Sequence, residues 1–169
     1  MIIIRSEEPG DIEAIFEVNS RAFDTDAEAR LVDALRDQGV MMVSLVADVG
    51  GKVAGHILLT PVTIDTPDGP VIAGGLGPMA VLPENQRSGI GSILISAGLD
   101  ACRNFGWKGV FVVGHPEFYP RFGFVPAAPL GLHYKGAEFD PYLFVKEISP
   151  GALQGISGMI RYYSAFDEV

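Results

Sequence analysis

Six consecutive residues of this chain, Gln86-Arg87-Ser88-Gly89-Ile90-Gly91, have the types and spacing to hold an anion. An apolar run ends at Leu82, a proline and a polar turn follow, and Gly89 and Gly91 open an apolar-periodic segment. Two glycines where a strand hands over to a helix let a ligand come very close to the backbone. Such a turn aims several free backbone N–H groups at one point, and the positive end of the helix dipole favours negative charge there. Arg87 can add a charge-assisted contact to phosphate. The P-loop requires Gly-Lys-Ser/Thr, which occurs nowhere, so nucleotide hydrolysis is disfavoured. The dinucleotide fingerprint GxGxxG lacks its third glycine, because Gly91 is followed by Ser92, Ile93 and Leu94. What remains is Q/R-x-x-G-x-G/A between a strand and a helix. The one cysteine, Cys102, reads as a small buried hydrophobe, since the sequence shows neither a histidine partner nor an electropositive setting for a nucleophile.

The elements around that turn follow from periodicity and turn chemistry. Residues 2 to 5, IIIR, form a β-branched run that reads as a first strand. Ile12, Ile15, Phe16 and Val18 recur at helical spacing. Ala27, Leu31, Ala34 and Leu35 line a second helix, with Asp24 or Asp26 as its cap and Gly39 closing it. MMVSLVADVGGKVAGHILLTPVTI reads as two strands joined through Gly50-Gly51. After the turn TPDGP, a fourth strand is interrupted by Gly74, Gly75 and Gly77, glycines that mark a bulge or a close approach. A helix is expected over residues 89 to 105, then a buried strand GVFVV at 109 to 113. Short strands are expected near 124 to 125, 131 to 134, 142 to 147 and 159 to 163. The β-α-α-β-β-β-α-β-α-β-β order is that of a mixed α/β sheet with helices on its faces.

Composition bounds the rest. With 169 residues, 48% of them apolar, the chain can bury one sizeable core, so residues 1–169 are expected to form one domain. A single cysteine allows no internal disulfide and fits a reducing, cytoplasmic compartment. The start, MIIIRSEEPGD, carries acidic residues where a signal peptide would be apolar, and no stretch is long enough to cross a membrane. A net charge of −9 argues against nucleic acid as a partner and sits more easily with cationic or neutral substrates.

The stretch AVLPENQRSGIGSILI strongly resembles the coenzyme A pyrophosphate loop of the GNAT N-acetyltransferase superfamily. A second motif, Tyr119-Pro120-Arg121-Phe122-Gly123-Phe124, fits that family's Y-x-x-x-G-F after the fifth strand. The two in this order are specific, and the likeness covers nearly the whole chain, with residues 125–169 supplying the late strands and tail. It is strongest to a bacterial branch of predicted acetyltransferases with EARLVDALR early and endings like RYYSAFDEV. The resemblance implies a GNAT-like mixed, centrally splayed β-sheet flanked by helices. It also implies N-acetyl transfer from acetyl-CoA to a primary amine by direct attack on the thioester, with no metal.

It implies site residues as well. The backbone of Met79, Ala80 and Val81 would pair with pantetheine, and an N–H near Val81 would polarise the thioester carbonyl, stabilising the oxyanion. Gln86, Arg87, Ser88, Gly89, Ile90, Gly91 and Ser92 would take the pyrophosphate. Tyr119, a phenol of ordinary pKa ~10, would protonate the leaving thiolate. For the base that frees the amine, Glu84 and His115 are candidates by position, just beyond the fourth and fifth strands. His133 on a late strand is another, a water chain can also serve, and His56, in an alternating strand, reads as a surface or satisfied core histidine. Many family members carry an Asn and a longer helix before the tyrosine. Here Pro116 and Pro120 cannot both lie within one long helix, so a short one is expected to start near Glu117. The acceptor is open: a small-molecule or peptide amine, with the protein a monomer or homodimer. A non-catalytic acyl-CoA-binding module with the same fold is the competing reading. A toxin acting on charged transfer RNA suits so acidic a chain poorly.

Overall fold

Hydrophobic alternation and paired glycines in the first half of the chain build an antiparallel ladder. The computed structural model describes residues 1–40 and 43–169, so the Met41-Met42 start expected for the second strand lies outside the described residues. Its strands are β1 (Ile2–Ser6), β2 (Val43–Val49), β3 (Lys52–Thr66), β4 (Gly69–Val81), β5 (Gly109–Val113), β6 (Val125–Pro126), β7 (Leu132–Tyr134), β8 (Leu143–Glu147) and β9 (Gly158–Arg161). The helices are α1 (Ile12–Phe23), α2 (Ala27–Asp37) and α3 (Ile90–Ala101). The chain divides into two compact units. The first comprises Met1–Thr60, Gly77–Ala101 and Ser164–Val169; the second comprises Pro61–Leu76 and Cys102–Tyr163. Strands β3 and β4 run through both.

In the first unit the strand order is β1-β2-β3, all antiparallel, with Ile4 opposite Ala47 and Leu45 opposite Ile57. The β2–β3 turn has φ of 61° at Gly50 and 90° at Gly51, which a two-residue hairpin requires. Helix α3 packs closely on β3, because each element offers the other a glycine. A Cβ on Gly55 would lie 2.9 Å from Ile90, and one on Gly98 would lie 2.9 Å from Leu59. Of the two expected caps of α2, Asp26 stands at the N-cap position, its carbonyl accepting Arg30 N–H at 2.9 Å, without a side-chain cap bond. Asp24 instead ends α1 in the left-handed region, and the Thr25 hydroxyl accepts the Ala27 N–H at 3.0 Å. Helix α3 also stops at Ala101, short of residue 105, where Phe105 N–H turns back to the Cys102 carbonyl and Gly106 takes φ of 80°.

In the second unit the order is β4-β5-β8-β6, and β9 lies between β3 and β7. The β4–β5 pair is parallel at Gly74–Val110 and Gly75–Phe111. Among the described residues their register ends there, although β4 continues to Val81 and β5 to Val113; this is the central splay. The core is Val62, Ile64, Phe111, Leu143, Val145 and their buried neighbours. Two of the strand glycines of β4, Gly74 and Gly75, admit rings. A Cβ on Gly74 would fall 2.2 Å from Trp107, and one on Gly75 would fall 2.7 Å from Tyr162. The fourth helical element of the expected order is a single 3₁₀ turn, Tyr119–Phe122, because Pro116 and Pro120 deny a longer helix its internal hydrogen bonds.

Candidate active site

The glycine turn, residues 86 to 92, lies wholly in the first unit. Leu82 N–H donates to Ala54 at 2.8 Å, tying the end of β4 to β3, and Pro83–Asn85 then makes one 3₁₀ turn. The Gln86 side-chain amide donates back to the Val81 carbonyl at 3.0 Å, and the Ser88 hydroxyl donates to the Asn85 carbonyl. Arg87 (φ 63°) and Gly89 (φ 86°) both take left-handed conformations, so the backbone reverses twice within three residues. Gly89 is where α3 begins: its carbonyl accepts Ile93 N–H at 3.1 Å. Ile90, Gly91 and Ser92 are therefore the first helical residues, and their N–H groups have no acceptor inside the helix. Buried Ile90 anchors the turn, while Gln86, Arg87, Ser88 and Gly89 are exposed and nothing stands within 4 Å of where a Gly89 Cβ would be. The turn thus combines unused backbone donors with the positive end of a helix dipole, and exposed Arg87 lies within it. Just before it, Met79 and Val81 are half-buried and Ala80 is buried.

Glu84 sits at the foot of this turn and is already engaged. Arg21 grips its carboxylate with both terminal nitrogens, at 2.7 and 3.1 Å, and Lys52 lies 3.9 Å away. The Arg21 hydrogen bonds hold Glu84 below the usual carboxylate range. Sequence reading missed Arg21, which is sixty-three positions away in the chain.

His56 proves a satisfied core histidine. It is fully buried, with Nδ1 3.3 Å from the Asn19 amide nitrogen and Nε2 2.9 Å from the Ser44 hydroxyl. Ser44 donates in turn to Glu7, which Arg36 holds at 2.9 and 3.1 Å. Because Asn19 donates to Nδ1, the proton of the neutral ring lies on Nε2 and points to Ser44. Burial pushes His56 down to about 4. Desolvation works against ionised Glu7, but the hydrogen bonds from Arg36 and Ser44 outweigh it and leave its pKa lowered.

Tyr119 lies in the second unit. Past the end of β5, Gly114 N–H donates to the Tyr142 carbonyl at 2.9 Å, and the His115 carbonyl accepts Phe118 N–H at 3.1 Å. The 3₁₀ turn closes at Gly123, φ 88°, whose N–H returns to Pro120; Lys146 clamps the Phe122 carbonyl at 2.7 Å. Tyr119 is buried, its ring edge-on to Phe118 at 5.1 Å and to Phe124 at 5.7 Å. Burial pushes its phenol up to about 12. His115 is exposed on the segment between β5 and the turn. His133 is held by Asp140, Nδ1 to Oδ1 at 3.0 Å. Cys102 is fully buried, as expected. Among the described residues no three His, Cys, Asp or Glu side chains gather as a metal site would require.

This geometry can be set beside known proteins. The family model described as Acetyltransferase (GNAT) domain matches residues 3–127. The chain belongs to the GNAT acetyltransferase family. The enzyme is an acyltransferase. Its GNAT relatives include the uncharacterised N-acetyltransferase YhbS of Escherichia coli (strain K12), 34% identical over 167 residues, which span 98% of this chain and 99% of that one. The crystal structure of YhbS from Escherichia coli in complex with CoA superposes with a TM-score of 0.91 at 33% identity, covering 98% of this chain and 92% of that chain. A GNAT family acetyltransferase from Brucella melitensis, in complex with acetyl-CoA, gives a TM-score of 0.81 at 34% identity over 99% of each chain. No helix among the described residues is long and apolar enough to cross a membrane.

Proposed function

We propose that this GNAT enzyme is a cytoplasmic N-acetyltransferase that moves acetyl from acetyl-CoA to a primary amine by direct attack on the thioester. The observation that carries the reading is the start of α3, where the N–H groups of Ile90, Gly91 and Ser92 have no acceptor inside the helix and no neighbour stands within 4 Å of where a Gly89 Cβ would be. The relatives crystallised with CoA and acetyl-CoA support it. Gln86 to Ser92 take the pyrophosphate. The backbone of Met79, Ala80 and Val81 takes the pantetheine arm, with the Val81 N–H on the thioester carbonyl, where a fixed donor stabilises the tetrahedral oxyanion. Gln86 occupies the Val81 carbonyl, so this stretch of β4 is held from behind.

The neutral amine attacks the carbonyl carbon, the C–S bond breaks, Tyr119 delivers its proton to the departing thiolate, and the proton shed by the acylated nitrogen restores the phenol. A phenol pushed up to about 12 is fully protonated at neutral pH, as a donor must be. Of the two candidates just beyond the fourth and fifth strands, Glu84 is occupied by Arg21, so His115 takes the ammonium proton, with His133 or a water chain as the alternatives. The acceptor is a small-molecule or peptide amine, and the enzyme works as a monomer or homodimer. Calorimetric titration with CoA, acetyl-CoA and NAD, followed by thiol release across a panel of primary amines, tests the reading. Binding of both CoA species but not NAD, and amine-dependent thiol release, are expected. Absence of CoA binding overturns the loop assignment, and binding without turnover on any amine overturns the reaction.

A further inference from the structure

We infer that Gly114 is the positioning residue for the Tyr119 phenol, an inference that rests on the proposed role of Tyr119 as the acid. A Cβ placed on Gly114 would stand 2.3 Å from Cε2 of Tyr119, 3.0 Å from Cδ2 and 3.3 Å from Cζ. Real Cβ atoms do not come that near a ring, so the phenol lies directly on the bare backbone at the end of β5. Cζ carries the hydroxyl, and the seat therefore acts on the half of the ring that holds the reacting oxygen.

The seat itself cannot drift. The β5–β8 ladder pairs Val113 with Leu143, and Gly114 N–H extends it by one further bond to Tyr142 at 2.9 Å. The ring also packs against Phe118 and Phe124, edge-on at interplanar angles of 84° and 74°. A ring packed against two aromatic rings and a bare backbone is restrained, and pre-set placement is what a proton donor to a departing sulfur needs. The 3₁₀ turn brings the tyrosine in from its own residue onward, without a long helix to fix its direction. Gly114 supplies that direction instead. The glycine is not required by backbone strain, because its φ is not among the left-handed ones. Only the ring excludes a side chain there.

The test is a pair of cycles. Gly114→Ala should lower kcat by roughly tenfold or more, since a displacement near 1 Å can cost ~10²-fold, while KM for acetyl-CoA moves little. In a Tyr119→Phe background the same change should lower kcat no further, because the hydroxyl it displaces is gone. An equal loss in both backgrounds would mean a general disturbance and overturn the inference. Full activity in Tyr119→Phe would overturn the acid role, whereas loss in Tyr119→Phe with none in Gly114→Ala would overturn the seat alone. Thermal unfolding covers the case of a poorly folding single variant. Gly114→Ala should be silent when added to Tyr119→Ala, which empties the seat. A second drop in the midpoint there would show that the methyl clashes with something other than the ring.

Discussion

The glycine turn at α3 and the tyrosine seat past β5 are opposite solutions to presenting a chemical group. The turn is exposed, polar and made of backbone: its donors are N–H groups that helix geometry leaves unused, and no neighbour need be packed against them. The seat is buried and aromatic, and its one polar atom is held by what surrounds the ring. An anion binds where charge is offered to solvent-accessible space. A phenol meant to stay protonated gains from burial, which disfavours its charged form. Changes in the two regions should therefore fail differently, one in affinity and the other in turnover.

Tyr119→Phe gives the largest expected effect, a fall in kcat of roughly 10²–10⁴-fold with CoA affinity nearly unchanged. Steady-state rates set beside calorimetry check this, and a comparable loss of affinity would erase the contrast between the two regions. Burial is next tested on a group remote from the reaction. The folded His56 titrates at about 4 rather than its ordinary 6.5, because the buried ring resists charging. The unfolded chain therefore takes up a proton below pH 6.5 that the folded chain refuses until about 4. Stability should be full above 6.5 and fall as the solution is acidified, by about 3 kcal/mol near pH 4. Urea unfolding across that range measures the slope, and His56→Gln should flatten it; an unchanged slope would mean that another group carries the proton.

Gly89→Leu acts on the turn. A branched side chain at φ 86° is strained by about 1–2 kcal/mol and also fills the anion's space, so CoA affinity should fall by at least about tenfold, with kcat at saturation preserved. Unchanged affinity would remove the turn from the cofactor site. Glu84→Gln is the smallest. It breaks an exposed pair with Arg21 and should leave both kcat and the unfolding midpoint almost unchanged. A collapse of kcat would bring Glu84 back as the base and shift weight from His115.

Which residues were legible follows the same divide. Gly89 and Gly91 stand out because a positive φ and a helix start are local demands, satisfied within a few positions of the chain. Gly50-Gly51 was readable for the same reason. The strand glycines Gly74 and Gly75 announced a close approach but not what approaches, since Trp107 and Tyr162 come from far along the chain. Gly114 was passed over altogether: a glycine after an apolar strand looks like a plain connection until a ring is seen lying on it. The pairing of Glu84 with Arg21, and of His56 with Asn19 and Ser44, joins elements whose separations no local pattern encodes.

The sequence by itself determined the order of strands and helices, the glycine turn and the tyrosine motif, because periodicity, turn chemistry and helix starts depend on neighbours in the chain. Tertiary structure alone decided which carboxylate is already paired, which histidine is buried and neutral, and where the Tyr119 ring rests. Those outcomes depend on desolvation and on contacts a few ångströms long, and both are set only when distant segments pack.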